Sequence, residues 1–378
     1  MARHRPEWAS GERPRTRSSR RAGLLALSVI VLIAAIVVAV VIGQSLSGTK
    51  RSSTAPTPSP TPTSSTVPCA LTAAAGAGRT EAHGSIDTTS CWATHTGVQN
   101  GTGYTEAQIL AGQSNLKHVF GDQRITKPGT VIDREWIDGC VAIDANNVTI
   151  KNSLIRTRDL CEGGDTQTDP SAINNGHYTV FGTLIEDTTV DGMDPGNGSG
   201  GGHSRGVFVG YGSECLQCNI FGFAMDAWTD GDAQHPSKFV DSYIHGLADD
   251  WSATGSSATP HENALYLNSS DYVTVEHDYV SSVRAGLSVT GAISLLDDWG
   301  APNNDTVEYN YVEGGYGSDV RWGCGKPNDH FRGNALSSDN AYGGKFYVDT
   351  WTNGPGNAFT GNYIAETGAP FSNPPEDC

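Results

Sequence analysis

A short alternating pattern of apolar and polar residues recurs through most of the chain beyond residue 140. Each copy reads apolar, any residue, small or polar, then Ser, Thr, Asn or Asp, any residue, apolar, as in IKNSLI at 150–155 and VEYNYV at 307–312. This alternation, rich in β-branched and aromatic residues, predicts a strand with one buried face. The copies end at Ile155, Ile185, Phe221, Ile244, Val280, Val312, Leu336 and Ile364.

The spacing of these copies predicts a solenoid. The intervals exclude a heptad and fit a coil of roughly 23 residues that carries loops of variable length. Second strands lie between the copies, such as VFVG at 207–210 and ALYLN at 264–268. Stacked coils would pair each strand with its counterpart about 4.8 Å away and enclose one apolar interior. The fold prediction is therefore all-β, a parallel β-helix.

The fourth position of the pattern always holds a small hydrogen-bonding residue. Such side chains satisfy backbone groups at a tight bend and tolerate left-handed backbone geometry. We interpret the position as a polar ladder along the solenoid, with a structural rather than a catalytic role. Its predicted members are Ser153, Thr183, Asn219, Ser242, Asp278, Asn310, Asn334 and Asn362.

The N-terminal part has a different organisation. Residues 1–22 form a basic tail, and residues 23–43 contain no charge and are long enough to span a bilayer as one transmembrane helix. The basic flank places the N-terminus in the cytoplasm and the rest outside, whereas a cleaved signal peptide would have a shorter apolar core. Residues 44–68 are predicted to form a disordered Ser/Thr/Pro stalk. Residues 69–135 are predicted to form an N-terminal cap region with a short helix near 105–110. The β-helix domain is predicted to span residues 136–378.

Charge and cysteine content narrow the function classes. Residues 1–51 carry nine Lys/Arg against Glu7 and Glu12, so the whole-chain net charge of −17 becomes about −24 for the remainder. Such a domain does not suit nucleic acid, whereas neutral glycans, or acidic glycans bridged by a metal, remain compatible. All eight cysteines follow the predicted transmembrane helix, which favours disulfides with undetermined pairing. Cys215 and Cys218 have the spacing of a zinc or redox pair, but no second such pair accompanies them.

Several segments allow a family resemblance to be stated. The stretch CVAIDANNVTIKNSLIRT at 140–157, together with VTVEHDYV at 273–280 and FTGNYI at 359–364, resembles right-handed parallel β-helix repeat proteins of the pectate-lyase-like superfold, in the form found on actinobacterial surfaces. The resemblance covers about 140–368 and implies a right-handed solenoid. It does not imply one activity, because this fold hosts lyases, glycosidases, epimerases and adhesins. The Gly-His-Gly and Arg-x-Lys steps of such enzymes are missing, so no catalytic set carries over.

Alternation in the second strands predicts a strip of residues on one outer face. Sugars bind through stacking on aromatic rings and hydrogen bonds to planar polar groups, so such a strip would suit a glycan. The alternative is a solvated sheet face without a ligand. The predicted strip comprises Phe208, Asp226, Tyr266, Ser288, Arg321 and Tyr347.

The segment His261-Glu262-Asn263, directly before the strand ALYLN, is the sharpest candidate for chemistry. A glycosidase needs two carboxyl groups, one of them protonated, and a lyase needs a base and a group that neutralises a uronate carboxylate. Acidic residues and a histidine of the preceding coil, Asp241, His245, Asp249 and Asp250, are predicted to join the same rim and could hold Ca²⁺, and the acidic loop 191–203 is a weaker Ca²⁺ candidate. The catalytic candidates are Glu262, His261, Asp226 and Arg321, and the substrate-binding candidates are Phe208, Tyr266, Tyr347, Asp249, Asp250 and His245.

The sequence therefore predicts a single-pass, membrane-anchored extracellular protein that acts on polysaccharide or cell-wall glycan as a lyase or a glycoside hydrolase. It is expected to be a monomer without a nucleic-acid partner, and Ca²⁺ is a candidate cofactor. The alternative is a non-catalytic module that binds carbohydrate or organises the envelope.

Overall fold

A computed structural model describes residue 69 and residues 91–371 with thirteen internal gaps. The gaps are 158–160, 162–170, 176–179, 193–204, 224, 248–262, 269, 283–290, 297–302, 315–319, 323–327, 338–347 and 350–355, where the last two flank the short strand at 348–349. The described residues belong to one compact unit, Ser65–Cys378. The predicted tail, transmembrane helix and stalk lie outside them, and no helix among the described residues is long and apolar enough to cross a membrane.

The strands form three parallel sheets, and each strand pairs with the strand three places further along the chain. Sheet A contains β1 (Lys117–Phe120), β4 (Glu135–Asp138), β7 (Leu154–Arg156), β10 (Thr189–Asp191), β13 (Asn219–Phe221), β16 (Tyr243–His245), β19 (Tyr279–Ser282), β22 (Tyr311–Gly314), β25 (Ala335–Leu336) and β28 (Tyr363–Ile364). Sheet B contains β2 (Gln123–Ile125), β5 (Val141–Ile143), β8 (Ser171–Asn174), β11 (Arg205–Val209), β14 (Met225–Thr229), β17 (Asn263–Asn268), β20 (Gly291–Leu296), β23 (Val320–Trp322) and β26 (Val348–Asp349). Sheet C contains β3 (Val131–Asp133), β6 (Thr149–Lys151), β9 (Leu184–Glu186), β12 (Glu214–Leu216), β15 (Ser237–Val240), β18 (Val273–Glu276), β21 (Thr306–Glu308), β24 (His330–Arg332) and β27 (Ala358–Thr360).

One coil of the solenoid is therefore one strand from each sheet, in the order A, B, C. The coils begin at Lys117, so residues 117–133 of the predicted cap region already belong to the parallel sheets. One row of each sheet points inward, as Ile155, Val190 and Ile220 do in sheet A, and these rows make a single core cluster. The parallel β-helix expected from the repeat is confirmed at this level.

The turn from sheet C to sheet A is short throughout and begins with a residue in left-handed backbone geometry. The φ angles of these residues range from 47° to 68°. This geometry lets the chain reverse direction within one or two residues, which fixes the register of each new sheet A strand. The residues are Arg134, Asn152, Asp187, Gln217, Asp241, His277, Tyr309, Gly333 and Gly361.

The polar ladder follows this turn. The Asp278 Oδ1 accepts a hydrogen bond from Ser242 N at 2.6 Å, the Asn310 Oδ1 from Asp278 N at 2.8 Å, and the Asn334 Oδ1 from Asn310 N at 2.9 Å. Ser242 and Asn362 continue the series at either end. All of these side chains are buried, so the ladder satisfies backbone amides that the turn leaves inside the protein.

Two of the predicted ladder members, Asn219 and Thr183, were wrong. Thr189 pairs with Leu154, and Asn219 pairs with Thr189, so both begin sheet A strands and Thr188 and Cys218 occupy the ladder row. Thr183 instead precedes Leu184 of sheet C and belongs to a second polar row at the turn from sheet B. In that second row Asp305 Oδ1 accepts from Val273 N at 2.9 Å and Asp329 Oδ1 from Asp305 N at 3.1 Å. Both turns use the same chemistry, so the motif did not distinguish them.

Residues 91–116, which we call the strap, run along the outer face of sheet A. The strap contains α1 (Cys91–His95), α2 (Gly97–Thr102) and α3 (Glu106–Leu110), and the capping box of Thr105 with Gln108 confirms the predicted short helix. Trp92 lies against Tyr279 of β19, whereas Ile109 packs on Leu154 of β7. The strap therefore passes along the coils in the direction opposite to their order in the chain.

Disulfides join three pairs of cysteines among the described residues: Cys69–Cys91, Cys140–Cys161 and Cys215–Cys218. The expectation of disulfides is thus confirmed for these six, while Cys324 and Cys378 lie outside the described residues. Cys215 and Cys218 are both fully buried, which argues against a zinc or redox role because neither sulfur is accessible.

Candidate functional site

The longest connections of the solenoid lie at one corner, between sheet A and sheet B. The chain takes residues 157–170, 192–204 and 246–262 to pass between these two sheets, whereas it passes from sheet C to sheet A within one or two residues. Loops carried by a rigid scaffold are where binding and catalytic residues concentrate. The A–B corner and the adjoining outer face of sheet B are therefore the candidate site.

The outer face of sheet B brings one row of side-chain positions into register. Phe208 pairs with Trp228, Trp228 with Tyr266, and Tyr266 with Ser294. The row continues to Arg321 and then Asp349. Phe208, Tyr266 and Arg321 thus share a row, as the alternation predicted.

The other predicted members of the strip need correction or lie outside the described residues. Trp228, not Asp226, pairs with Phe208, and Ser294 occupies the position that had been assigned to Ser288. Ser288 and Tyr347 are not among the described residues. The shift arises because β11, β14 and β17 carry two consecutive inward positions near their starts, as Ala264 and Leu265 show, and strict alternation does not anticipate this.

The aromatic rings of this row are covered and do not form the exposed strip that the sequence predicted. Phe208 is 0% exposed, Trp228 5% and Tyr266 9%. The rings contact one another edge to face, with centroids 4.3 Å apart for Phe208 and Trp228 and 5.8 Å apart for Trp228 and Tyr266. They form a small cluster distinct from the main core. The alternation showed which side of the sheet they occupy but not that they would be covered.

Arg205 is a member of this site that the sequence reasoning missed. It lies at the start of β11, and its guanidinium carbon is 4.3 Å from the centroid of the Trp228 ring. A cation above the face of an indole is attracted by the ring quadrupole, and Arg205 is itself buried. An arginine three residues before an outward aromatic residue was the signal available in the sequence.

Asp226 has a structural role in the turn between β13 and β14. It is fully buried, and its Oδ1 accepts a hydrogen bond from the backbone amide of Phe223 at 3.1 Å, which closes the short connection between β13 and β14. Next to it in sheet B, Asn263 accepts a hydrogen bond from the hydroxyl of Ser294. Asn263 directly follows His261 and Glu262 in the sequence, so that candidate segment leads into sheet B.

The remaining candidates fall into two groups. His261, Glu262, Asp249 and Asp250 lie outside the described residues, and of Arg321 only the backbone is described. His245 lies on sheet A, where its ring stacks on Tyr243 at 3.6 Å and its Nε2 is 2.9 Å from the Asn219 Oδ1. Asp241 lies at the opposite end of β16, in the turn from sheet C, so the expected rim that joins Asp241 to His245 is wrong.

A second cluster of ionisable groups lies where the strap meets sheet A. Arg156 Nε is 2.6 Å from the Asp191 Oδ2 and 3.7 Å from the Glu106 Oε1. Burial raises the pKa of Glu106 to about 8, and the neighbouring Asp191 carboxylate adds to the rise while Arg156 opposes it. Glu106 is therefore protonated at neutral pH and donates a hydrogen bond to Asp191.

Metal ligation among the described residues has no good candidate. The two groups with three possible ligand atoms, Cys69 with Cys91 and His95, and Asp122 with Cys140 and Cys161, both depend on sulfurs that are in disulfides. The carboxylates predicted to hold Ca²⁺ are mostly outside the described residues, so Ca²⁺ stays a prediction.

Comparison with known proteins gives no further identification. No family model matches the chain, and neither a curated protein nor a solved structure shows significant similarity to it.

Proposed function

We propose that the chain is a membrane-anchored extracellular β-helix protein, of the right-handed pectate-lyase-like type, that acts on a polysaccharide at the A–B corner as a lyase or a glycoside hydrolase. One observation carries the proposal: the long connections lead directly into sheet B, and Arg321 and Asp349 lie in one row along the outer face of that sheet. A parallel sheet face beside long loops is an extended surface, which suits a chain of sugar units.

The cluster of Phe208, Trp228 and Tyr266 stabilises the part of sheet B on which the proposed binding surface lies. Because Phe208, Trp228 and Tyr266 are buried, we do not assign them to sugar stacking, and they instead hold the start of sheet B in place together with Arg205. Direct contacts to the glycan are assigned to Arg321, Tyr347, Asp249 and Asp250. Glu262 and His261 are the proposed reacting groups.

The two chemistries assign different roles to these residues. In a hydrolase, Glu262 would be the acid, paired with Asp249 or Asp250 as the second carboxylate. In a lyase, His261 would remove the proton next to the uronate carboxylate, and Arg321 or Ca²⁺ would neutralise that carboxylate. Asp226 is the weakest of the four catalytic candidates, because one of its oxygens already closes a backbone turn.

The test is turnover of a panel of plant, microbial and cell-wall glycans by the full chain, with and without Ca²⁺. We expect new reducing ends or the absorbance of an unsaturated uronate, and a loss of about 10²–10⁴-fold in rate for Glu262→Gln or His261→Ala. Glu214→Gln, on the outer face of sheet C, is the matched control and should keep the full rate. Absence of turnover on every glycan would overturn the catalytic proposal.

The alternative of a non-catalytic binding module makes a different prediction in the same experiment. It requires measurable affinity for a glycan, no turnover, and a loss of affinity in Arg321→Ala. If neither turnover nor affinity is found, the glycan proposal fails in both forms.

A further inference from the structure

We infer that the strap is an acid-favoured clasp: it is held on the coils by two contacts, at opposite ends, that both need a bound proton. The inference does not depend on the glycan proposal. It rests on the hydrogen-bond geometry around His277 at one end and around Glu106 at the other.

The first contact joins Cys69, which is disulfide-bonded to the start of the strap at Cys91, to the turn before β19. The Nδ1 of His277 is 2.6 Å from the Asp241 Oδ1, and its Nε2 is 2.5 Å from the backbone carbonyl oxygen of Cys69. A carboxylate and a carbonyl can only accept, so both ring nitrogens must donate, and only the doubly protonated imidazolium has two N–H groups. Loss of one proton removes one of these two hydrogen bonds.

This end of the strap is also covalently organised. The Cys69–Cys91 disulfide connects the contacted carbonyl to α1, and Trp92 in α1 packs on the rings of His277 and Tyr279, with centroids 5.6 Å away in each case. The protonation state of His277 therefore bears directly on the placement of α1. Its chain neighbours Glu276 and Asp278 are also ionisable, and Tyr309 holds the equivalent position in the adjacent turn.

The second contact is the cluster of Glu106, Asp191 and Arg156. With its proton, Glu106 donates to Asp191, which pairs with Arg156, and the cluster is neutral overall. Without the proton, the half-buried Glu106 carboxylate and the buried Asp191 carboxylate share one guanidinium, and one negative charge is left uncompensated. Asp138, which is paired with Arg156 along sheet A, adds further negative charge on the same side.

Between the two ends the strap is held by contacts that do not need a bound proton. The backbone amide of Val98 donates to the Thr189 Oγ1 at 3.0 Å, that of Gly97 donates to the Gln217 carbonyl at 2.6 Å, and Asn100 donates to Asp187 at 2.6 Å. Gly97 has φ of +66°, and a Cβ there would be 2.4 Å from Thr189 Oγ1, so this close approach requires glycine. Burial raises the pKa of Asp187, whereas the Asn100 bond opposes the rise.

The amides of Gly97 and Val98 are direct reporters of the clasp, because their acceptors belong to the coils. Hydrogen exchange of the full chain is measured by mass spectrometry at pH 5.5 and pH 9, with correction for the intrinsic rates. We expect the protection of these amides to fall at least about tenfold at the higher pH, while sheet C peptides keep theirs. Unchanged protection in the strap would overturn the inference.

Two variants separate the two contacts. Glu106→Gln should keep α3 protected at pH 9, and His277→Asn, which suits the left-handed backbone at that position, should lower the protection around α1 at pH 5.5 to the level that wild type has at pH 9. His235→Asn removes another Asp-paired histidine, and Asp144→Asn another arginine-paired carboxylate, both outside sheet A and away from the strap. If the first pair behaves like this control pair, the clasp is not proton-linked. If a variant also loses sheet C protection, the wild-type pH series decides alone.

Discussion

Replacement of Asn310 by leucine is expected to lower the free energy of unfolding by about 2–5 kcal/mol, because it leaves two buried backbone groups without partners. The amide of Asp278 loses its acceptor, Asn310 Oδ1, at 2.8 Å, and the carbonyl of Val275 loses its donor, Asn310 Nδ2, at 3.0 Å. Leucine has a similar volume, so the effect isolates hydrogen bonding from cavity formation. Thermal unfolding of the full chain should show a midpoint lower by roughly 5–15 °C.

Thr274→Leu is the matched control for this prediction. Thr274 lies in sheet C of a neighbouring coil and is partly exposed, so leucine there removes a polar group without leaving buried ones unpaired. A midpoint for Asn310→Leu equal to that of Thr274→Leu would show that the ladder contributes little to stability.

The second large effect is a pH-dependent gain in stability on replacement of Asp278 by asparagine. The amide nitrogens of Asn310, Asn334 and Asn362 donate to the carbonyls of Val275, Val307 and Phe331, each three residues before the preceding ladder residue. The same geometry directs Asp278 Oδ2 towards the carbonyl of Phe239, but among the described residues Oδ2 has no hydrogen-bond partner. Asparagine would place a donor there.

The direction of the pH dependence follows from the buried carboxyl. Burial raises the pKa of Asp278 well above its usual range, because desolvation disfavours the charged form. The folded state thus holds the proton more tightly than the unfolded state, so this contribution to stability is complete below about pH 4 and is lost as the pH rises through the folded pKa. Asp278→Asn does not titrate and should gain about 1–3 kcal/mol over wild type at pH 8.

The measurement is the difference in unfolding midpoint between Asp278→Asn and wild type from pH 4 to pH 9. The difference should widen with rising pH, whereas Asp133→Asn, at an exposed position of sheet C, should show no such trend. A constant difference across the range would mean that the carboxyl of Asp278 is already ionised in the fold.

The repeat was predictable because it depends on local chemistry. Six of the eight expected ladder residues are in the row, since a small polar residue before an alternating strand is required wherever the chain turns sharply between sheets. Thr183 failed because the turn from sheet B to sheet C uses the same kind of residue. In the coil that contains β13, the ladder position holds Cys218, which is disulfide-bonded to Cys215 and is not a residue type that the motif includes. The motif therefore matched one residue later, at Asn219.

The site was less predictable, because it depends on contacts between distant segments. The common row of Phe208, Tyr266 and Arg321 followed from strand alternation, but the burial of Phe208 and Tyr266 depends on what lies over sheet B. Likewise, nothing local to Glu106 or His277 indicated that residues 91–116 would pack against sheet A. Single-sequence patterns report the direction of a side chain within its own strand and not its neighbours from other parts of the chain.

The turns from sheet C to sheet A are much shorter than the connections from sheet A to sheet B, and this difference limits where insertions and deletions can be accepted. Because the left-handed turns and the ladder leave no slack between sheet C and sheet A, an added or deleted residue there would shift every later rung out of register. The wide corner tolerates length variation without disturbing the rungs. Divergence in length, and with it the acquisition of new specificity, should therefore accumulate along a single edge of the molecule, and loops of foreign origin should be graftable there.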